Sequence, residues 1–400
     1  MAFILFTVLC IFCMMYYFIS LLCAFYFVYK RKKELKEFNH WKKVASNPTS
    51  KDHSPSQRPF VTILKPICGS DEYTKENLES FLQQSYQNFQ MIVGMASEQD
   101  SALLIVQNLQ KQYPQLKIVQ GEHPIGANKK VRNLLNIQKY IDPTSAIWII
   151  ADADLKVDAN YIERIVHNFS SPQIGCVTCL YTVKKTPNWG SLPESLYIEQ
   201  TFAPGVLLSS SFAPLNYALG ATIAVDKQIF LETGGFEKLL DYLADDNIIG
   251  KRIAEAKKKV KLSTYIVEDV LSYQSITNTF KHLLRWNRTI RICQSIGYFF
   301  SMITYMTPWL LLYIVTALYF QKNPWFLVTI ALTLRILQPT AVAFALQNKY
   351  TFIRAFLAPL WDFISFCLWF VSFQGNTITW RDTTYHLHKD GTMHIKNKEK

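Results

Sequence analysis

Residues Ala146–Val157 read AIWIIADADLKV, and the rest of the chain can be organised around them. Ala146 to Ala151 is a short apolar run rich in Ile, the pattern of a strand buried on both faces. It leads directly into Asp152-Ala153-Asp154. Side chains two apart on extended chain point to the same side, so both carboxylates project together from the carboxyl end of a central strand. In open α/β sheets ligands bind at that end. Two adjacent negative charges are relieved by a hard divalent cation with oxygen ligands, Mg²⁺ or Mn²⁺, which takes further ligands from water and from a substrate's phosphates. The plainer alternative is a turn and helix cap after the strand, a role Asp also fills.

Outward from this stretch, strands and helices alternate. Phe60–Leu64 reads as a strand ending at Lys65-Pro66, Asn77–Gln84 as a helix, and Phe89–Met95 as a strand ending near Glu98. Ser101–Gln112 is a helix, Leu116–Val119 a strand, and Lys130–Tyr140 a helix entered through a Pro/Gly loop. Asn160–Asn168 (helix), Ile174–Val183 (strand), Tyr217–Val225 (strand) and Asp226–Thr233 (helix) follow, then a Gly234-Gly235 turn. This alternation predicts an α/β domain over 60–290 with a doubly wound, mainly parallel sheet. Pro193–Phe212 is apolar with almost no charge. It fits a helix in the membrane interface, a cover over an acceptor cleft, or an ordinary core helix equally well. Asp245–Lys258 is a helix with an acidic start and a basic end, as the macrodipole favours, and Lys257-Lys258-Lys259 reads as its solvated end.

The flanks are apolar. Met1 to Tyr29 has no charged residue and is long enough to cross a bilayer, for which about 20 residues suffice. Lys30, Arg31, Lys32, Lys33, Lys36, Lys42 and Lys43 follow it, the order of a signal anchor rather than a cleaved signal peptide. The positive-inside rule then places the α/β domain in the cytoplasm. Residues 30–59, with Pro48 and Pro55, read as a basic linker after a short helical stub. Residues 297–373 hold three apolar segments, Gly297–Phe320 with Pro308, Pro324–Leu346 with Arg335 and Pro339, and Phe352–Phe373 with Arg354 and Asp362. Charge and Pro inside the last two leave full spanning and a re-entrant path both open. Residues 374–400 read as a basic tail. Its Lys389, Lys396, Lys398 and Lys400 favour the cytoplasm, a placement that three full C-terminal spans would break.

The chain of 400 residues is 50% hydrophobic with a formal charge of +12. The charge sits beside the apolar run, as at a membrane surface, and no nucleic-acid-binding motif accompanies it. The eight Cys form no disulfide or zinc pattern. A phosphate-binding G-x-x-x-x-G-K-[ST], a G-x-G-x-x-G and a G-x-S-x-G are all absent from the sequence, which disfavours an NTPase, a dinucleotide enzyme and a serine hydrolase. Two further positions carry chemistry. Asp245-Asp246 opens a helix with one acid more than a cap needs, and the second is a candidate general base. Lys281–Arg288, KHLLRWNR, precedes the first C-terminal apolar segment. His282 or Arg285 is placed to reach a leaving phosphate and Trp286 to pack near an acceptor, though basic and aromatic residues are also ordinary at membrane interfaces.

The order LKPICGSD, ADAD, GGF, LADD, then R-W between the domain and the C-terminal segments resembles the ceramide glucosyltransferases. The resemblance covers about residues 60–390 and includes WRDTTYHLHKDGT, Trp380–Thr392. It implies a membrane-anchored inverting glycosyltransferase with a GT-A core that takes a UDP-sugar donor and a lipid acceptor. Asp71, Asp152 and Asp246 match the family's three aspartates, and Arg285-Trp286 its R-W. His282 stands where that motif has Gln or Arg. On this reading Pro66, Asp71 and Glu98 line the uridine, Lys129 holds the diphosphate, Asp152 and Asp154 hold Mg²⁺ or Mn²⁺, and Asp246, beside Asp245, is the base. The GANKKVRNL and HLLRWNRTIR stretches are also similar to hopanoid-linked glycosyltransferases, which implies N-acetylglucosamine and a hopanoid as the rival donor sugar and acceptor. A processive polysaccharide synthase is a more distant rival.

Overall fold

The computed structural model describes residues 1–45, 58–348, 351–381 and 383–396. Pro48 and Pro55 of the expected linker, Asp382, and Lys398 and Lys400 lie outside them. An α/β core forms from β1 (Val61–Ile67), α2 (Thr74–Leu82), β2 (Phe89–Met95), α3 (Leu103–Gln110), β3 (Leu116–Gln120), α4 (Lys129–Gln138), β4 (Ile147–Ala151), β5 (Leu155–Lys156), α5 (Tyr161–Asn168) and β6 (Ile174–Thr182). It continues through β7 (Thr222–Asp226), α8 (Lys227–Glu232), α9 (Asp245–Glu255) and β8 (Lys259–Asp269). The sheet order is β3-β2-β1-β4-β7-β6-β8-β5. Strands β3, β2, β1 and β4 run parallel, as do β6 and β8, whereas β7 is antiparallel to both its neighbours. The expected mainly parallel, doubly wound sheet is present. Apolar side chains pack on both of its faces, around Ile63, Val93 and Ile149 on one and Leu64, Trp148 and Ile150 on the other.

Strand β8, the longest in the chain, was hidden by its charges. Helix α9 stops at Glu255, Lys257 turns in the left-handed region (φ +58), and Lys259 opens the strand. The triple lysine read as a helix end is therefore a helix-to-strand turn. The expected strand over 217–225 begins only at Thr222, which leaves Tyr217–Ala221 as a loop leading into β7 beside the carboxyl end of β4.

Helix α1 runs from Ala2 to Ala45 without a break. The basic stretch assigned to a linker is thus largely helix, and it docks on the core: Lys42 Nζ lies 2.6 Å from Glu163 Oε2, and Arg164 Nη2 3.5 Å from Glu34 Oε1. The expected boundary at residue 29/30 is not a structural one. The stretch over 193–212 is a three-part helix, α6 (Leu192–Tyr197), a π-helical turn (Ile198–Phe202) and α7 (Ala203–Phe212).

After α10 (Ile276–Cys293), the span expected over 297–320, with a kink at Pro308, is α11 (Ser295–Phe300), a short 3₁₀ turn and α12 (Met306–Tyr319), bent by 47°. Pro308 explains the break: its ring excludes the carbonyl of Thr304 four residues back, so the helix restarts after an extended Tyr305. The Thr304 carbonyl accepts a hydrogen bond from Tyr17 Oη (2.5 Å) instead. Helices α13 (Trp325–Ala345), α14 (Thr351–Ala355) and α15 (Ala358–Ser372) follow. Helix α1 and α13 are each long and apolar enough to cross a membrane, and the bent pair would be a third span. The charges inside these segments are paired inward, Arg335 with Asp362 of another segment and Arg354 with Glu199 of the π-helical turn. Arg335 Nε lies 2.9 Å from Asp362 Oδ2, and Arg354 Nη1 2.9 Å from Glu199 Oε1, all four side chains being buried. Such inward pairing is how ionisable groups persist at membrane depth. The segment read as a basic tail folds as a three-stranded sheet, β9 (Thr377–Trp380), β10 (Thr383–Leu387) and β11 (Met393–Ile395).

Candidate active site

The site forms where β1, β4 and the β7 loop end together. Asp152 directly follows β4, and Asp154 lies in the turn that leads to β5, so the strand alternation expected from the sequence stops at Ala151. The Asp152 amide bonds the Ala221 carbonyl (3.3 Å), which fixes the loop before β7 against it. Gly220 lies on that loop between two acids. A methyl group there would stand 3.1 Å from Asp246 Oδ2 and 4.0 Å from Asp152 Oδ2. Glycine is therefore what lets the first turn of α9 approach the end of β4.

Two lysines sit within this acidic cluster. Lys130 Nζ is 2.7 Å from Asp152 Oδ1 and 3.7 Å from Asp245 Oδ2. Burial opposes its charge, but Asp152 and Asp245 outweigh burial and hold the ammonium well above its usual pKa. Lys65, fully buried on β1, donates to the Asp152 carbonyl (2.5 Å) and lies over the Phe81 ring at 3.5 Å. Burial pulls its pKa down to about 7 against the opposing fields of Asp154 and Asp152. The sequence marks Lys65 only as a strand end, and Lys130 only together with Lys129 as charge that could offset a diphosphate.

The aspartates respond to the same field. Burial, then Asp245, pushes the Asp246 carboxyl up to about 7, with Lys130 and the Asn247 N–H acting the other way. That N–H donates to Asp246 Oδ1 at 2.7 Å. Asp245 is also raised, by burial first, and Lys130 opposes. Desolvation beside the sheet, then Asp152, raises the Asp154 carboxyl, with Lys65 opposing, although the residue itself is exposed. A carboxyl near 7 can take up and release a proton at neutral pH, which a general base requires.

Helix α10 forms the opposite wall. His282 Nδ1 is 3.4 Å from Glu194 Oε1 of α6, and its ring meets Trp286 edge-on at 4.5 Å. Trp286 also packs on Tyr197 (5.5 Å). Arg285 lies over the Trp380 ring at 5.6 Å. Burial lowers its pKa to about 10, while Glu194, Asp152 and Asp246 support its charge. The 193–212 stretch thus joins the site at Glu194 and Tyr197 to the membrane-segment arginines at Glu199 and at Gln200, whose Oε1 lies 3.3 Å from Arg335.

The remaining expected residues divide. Pro66 lies within the last two residues of β1, opposite Gly94, and Asp71 and Glu98 lie in the loops after β1 and β2, neighbours in the sheet. Hydrogen bonds from Gly69 N to Asp100 (3.0 Å) and from Ser70 to Ser101 (2.9 Å) tie those loops together. Asp71 Oδ1 accepts from Tyr73 N (3.0 Å) and Thr74 Oγ1 (2.8 Å), so it holds the start of α2. Glu98 is exposed. Lys129 does not enter the acidic cluster: its ammonium bonds Thr383 Oγ1 at 3.0 Å, and Lys130 takes the inward position.

Among the described residues no three His, Cys, Asp or Glu side chains gather as a metal centre. Asp152 and Asp154 alone fit a hard dication that draws its other ligands from phosphate and water. Lys130 occupies Asp152 Oδ1 and leaves Oδ2 toward the cleft.

The family model described as Glycosyl transferase family 21 matches residues 12–393. Ceramide glucosyltransferase 1 of Caenorhabditis elegans is 26% identical over 280 residues, which cover 69% of this chain and 56% of that protein. Ceramide glucosyltransferase 3 of the same organism is 24% identical over 234 residues, 58% of this chain and 50% of that protein. The chain thus matches about half the length of these relatives. Among solved structures, the mannosyltransferase PcManGT from Pyrobaculum calidifontis, in complex with GDP-Man and Mn²⁺, aligns over 87% of this chain and 98% of its own, with a TM-score of 0.48 and 17% identity. GalNAc-T7 with UDP, GalNAc and Mn²⁺ aligns over 57% of this chain and 49% of its own, with a TM-score of 0.40 and 13% identity.

Proposed function

Because the chain belongs to glycosyl transferase family 21, we propose that it transfers glucose from UDP-glucose to a hydroxyl of ceramide, or of a closely similar lipid, with inversion at the anomeric carbon. The observation that carries this reading is the pairing across Gly220 of Asp246, a carboxyl poised near neutrality, with the Asp152 and Asp154 pair.

Asp246 accepts the proton of the acceptor hydroxyl as that oxygen attacks the anomeric carbon. The carbon–oxygen bond to UDP breaks on the opposite face, and its electron pair leaves with the diphosphate. A positioned base of this kind contributes ~10²–10⁴-fold. Lys130 fixes Asp152 and Asp245 and so sets the field in which Asp246 works. Asp152 and Asp154 would hold Mg²⁺ or Mn²⁺. When bound, that ion supplies positive charge to the diphosphate. Arg285 adds positive charge on the same side, and Pro66, Asp71 and Glu98 line the uridine. Trp286 and Tyr197 give the acceptor an apolar wall that continues into the membrane-segment helices through Leu283, Trp361 and Leu368. Helix α1 anchors the chain, residues 60–290 form the catalytic domain on the cytoplasmic side, and the lipid enters from the bilayer while the charged donor arrives from water.

Membranes containing the protein test this directly. UDP release is followed with UDP-glucose or UDP-N-acetylglucosamine crossed with ceramide or a hopanoid polyol, with and without EDTA. Turnover with UDP-glucose and ceramide, abolished by EDTA and restored by Mn²⁺, is expected. Turnover only with UDP-N-acetylglucosamine and the hopanoid would replace both substrates.

A further inference from the structure

Helix α10 carries Arg285, Arg288 and Arg291 three residues apart, on neighbouring positions of one face. Two of them fasten the C-terminal hairpin. Arg288 bonds the carbonyls of Thr377 and of Gln374 (3.1 Å), and Arg291 bonds Asn376 and the Gly375 carbonyl (3.2 Å). The third, Arg285, rests over Trp380, and no hydrogen bond or ion pair reaches its guanidinium among the described residues. Arg381, the next residue on the hairpin, is exposed and likewise has no ion pair among the described residues. It occupies the left-handed region (φ +43), an uncommon conformation for a non-glycine residue. Two contacts hold the turn. The Thr383 N–H closes on the Arg381 carbonyl, and Lys129 Nζ ties Thr383 Oγ1 to the start of α4 (3.0 Å). The turn is thus held between α4, which carries Lys130, and α10, which carries Arg285.

Arg381 lies close enough to Arg285 for its charge to add to burial in lowering the Arg285 pKa. Two neighbouring guanidiniums repel one another; Glu194, Asp152 and Asp246 support Arg285 only through space, with no ion pair among the described residues, and an anion with several oxygens relieves both guanidiniums. The planar fork of Arg suits phosphate oxygens two at a time. The geometry points to Arg381 as a second guanidinium on the diphosphate of the nucleotide-sugar donor, delivered beside Arg285 by the hairpin turn. This rests on the donor reading given above. It gives the WRDTT stretch a task and gives Lys129 one too, as the tether of the turn rather than as a phosphate ligand.

Equilibrium binding of UDP, UMP and uridine to the full chain in detergent with Mn²⁺ present tests it, for the unsubstituted protein, Arg381→Ala and Arg381→Lys. A charge-assisted contact to the β-phosphate predicts that Arg381→Ala weakens UDP by about 10- to 100-fold. UMP and uridine, which lack that phosphate, should change by less than about threefold, and Arg381→Lys should fall in between because it keeps the charge but not the fork. Unchanged UDP affinity in Arg381→Ala overturns the inference alone. An equal loss for UDP, UMP and uridine also overturns it, since the hairpin would then act only as structure. Absence of UDP binding by the unsubstituted protein overturns the donor reading and this inference with it.

Discussion

Replacing Lys130 by Met should move the pH dependence of turnover to higher pH. A general base works ionised, so activity falls as pH drops through the carboxyl's own pKa, here about 7 for Asp246. Lys130 lies 2.7 Å from Asp152 and 3.7 Å from Asp245, and its charge is one of the two influences that hold Asp246 down. A unit charge ~6–8 Å away at an effective dielectric of ~20 is worth ~2–3 kcal/mol, a ceiling of ~1.5–2 pH units. Side-chain relaxation and water entering the vacated space reduce this, and a rise of about one unit is expected. Turnover at pH 7 then falls roughly fivefold, with little change at pH 9. The assay is UDP release against pH from about 5.5 to 9.5 at saturating donor, acceptor and Mn²⁺. Lys130→Arg, which keeps the charge, should leave the acid limb in place. An acid limb in Lys130→Met that stays put, or moves to lower pH, would refute the electrostatic role assigned to Lys130.

Other outcomes follow from the same geometry. Asp246→Asn should lower kcat by ~10²–10⁴-fold while UDP binding persists. Its stability signature has the opposite sense. The Asp246 carboxyl holds its proton more tightly folded (about 7) than at its ordinary 3.8, so ionising it weakens the fold as pH rises through that window. Asp246→Asn should therefore raise the melting temperature of the unliganded protein at pH 8, and by much less at pH 4. Gly220→Ala puts a methyl 3.1 Å from Asp246 Oδ2. Displacing the base by a few tenths of an ångström should cost about tenfold in kcat with the Kd for UDP unchanged. Arg335→Met leaves Asp362 buried without its 2.9 Å partner and should destabilise by ~3–5 kcal/mol. The double variant Arg335→Met/Asp362→Leu should regain most of that, as read by unfolding in detergent.

What the sequence disclosed depended on whether local pattern or distant contact decided the outcome. The Ile-rich run before Asp152 could be placed at the sheet's centre because burial on both faces leaves an unbroken apolar string. Strand β8 escaped notice because lysines on its half-exposed positions masked the alternation, and the turn before it looked like a helix end. Lys129 and Lys130 stand together in the sequence as lysines that could offset a diphosphate, and helical phase decides which of them turns toward the sheet. Asn128 caps α4 through Val131 N (3.2 Å), and Lys130, Asn133, Leu134 and Ile137 then share the stripe facing the sheet. The roles of Gly220, Glu194 and Arg381 had no local signal. Each meets a residue of another element that is distant in sequence, Asp246, His282 and Arg285 respectively. Likewise Arg335 and Asp362 are oddities within separate apolar segments until packing puts them 2.9 Å apart.

Asp246, facing Asp152 across Gly220, is proposed to drive an inverting transfer of glucose to a lipid hydroxyl. The most direct measurement is the anomeric configuration of the product made by the purified protein from ¹³C-labelled UDP-α-glucose and ceramide with Mn²⁺, read by NMR, with Asp246→Asn run beside it. The account predicts a β-linked glucosyl lipid that is absent from the Asp246→Asn reaction. An α-linked product, or a β-linked product formed equally well by Asp246→Asn, would contradict it.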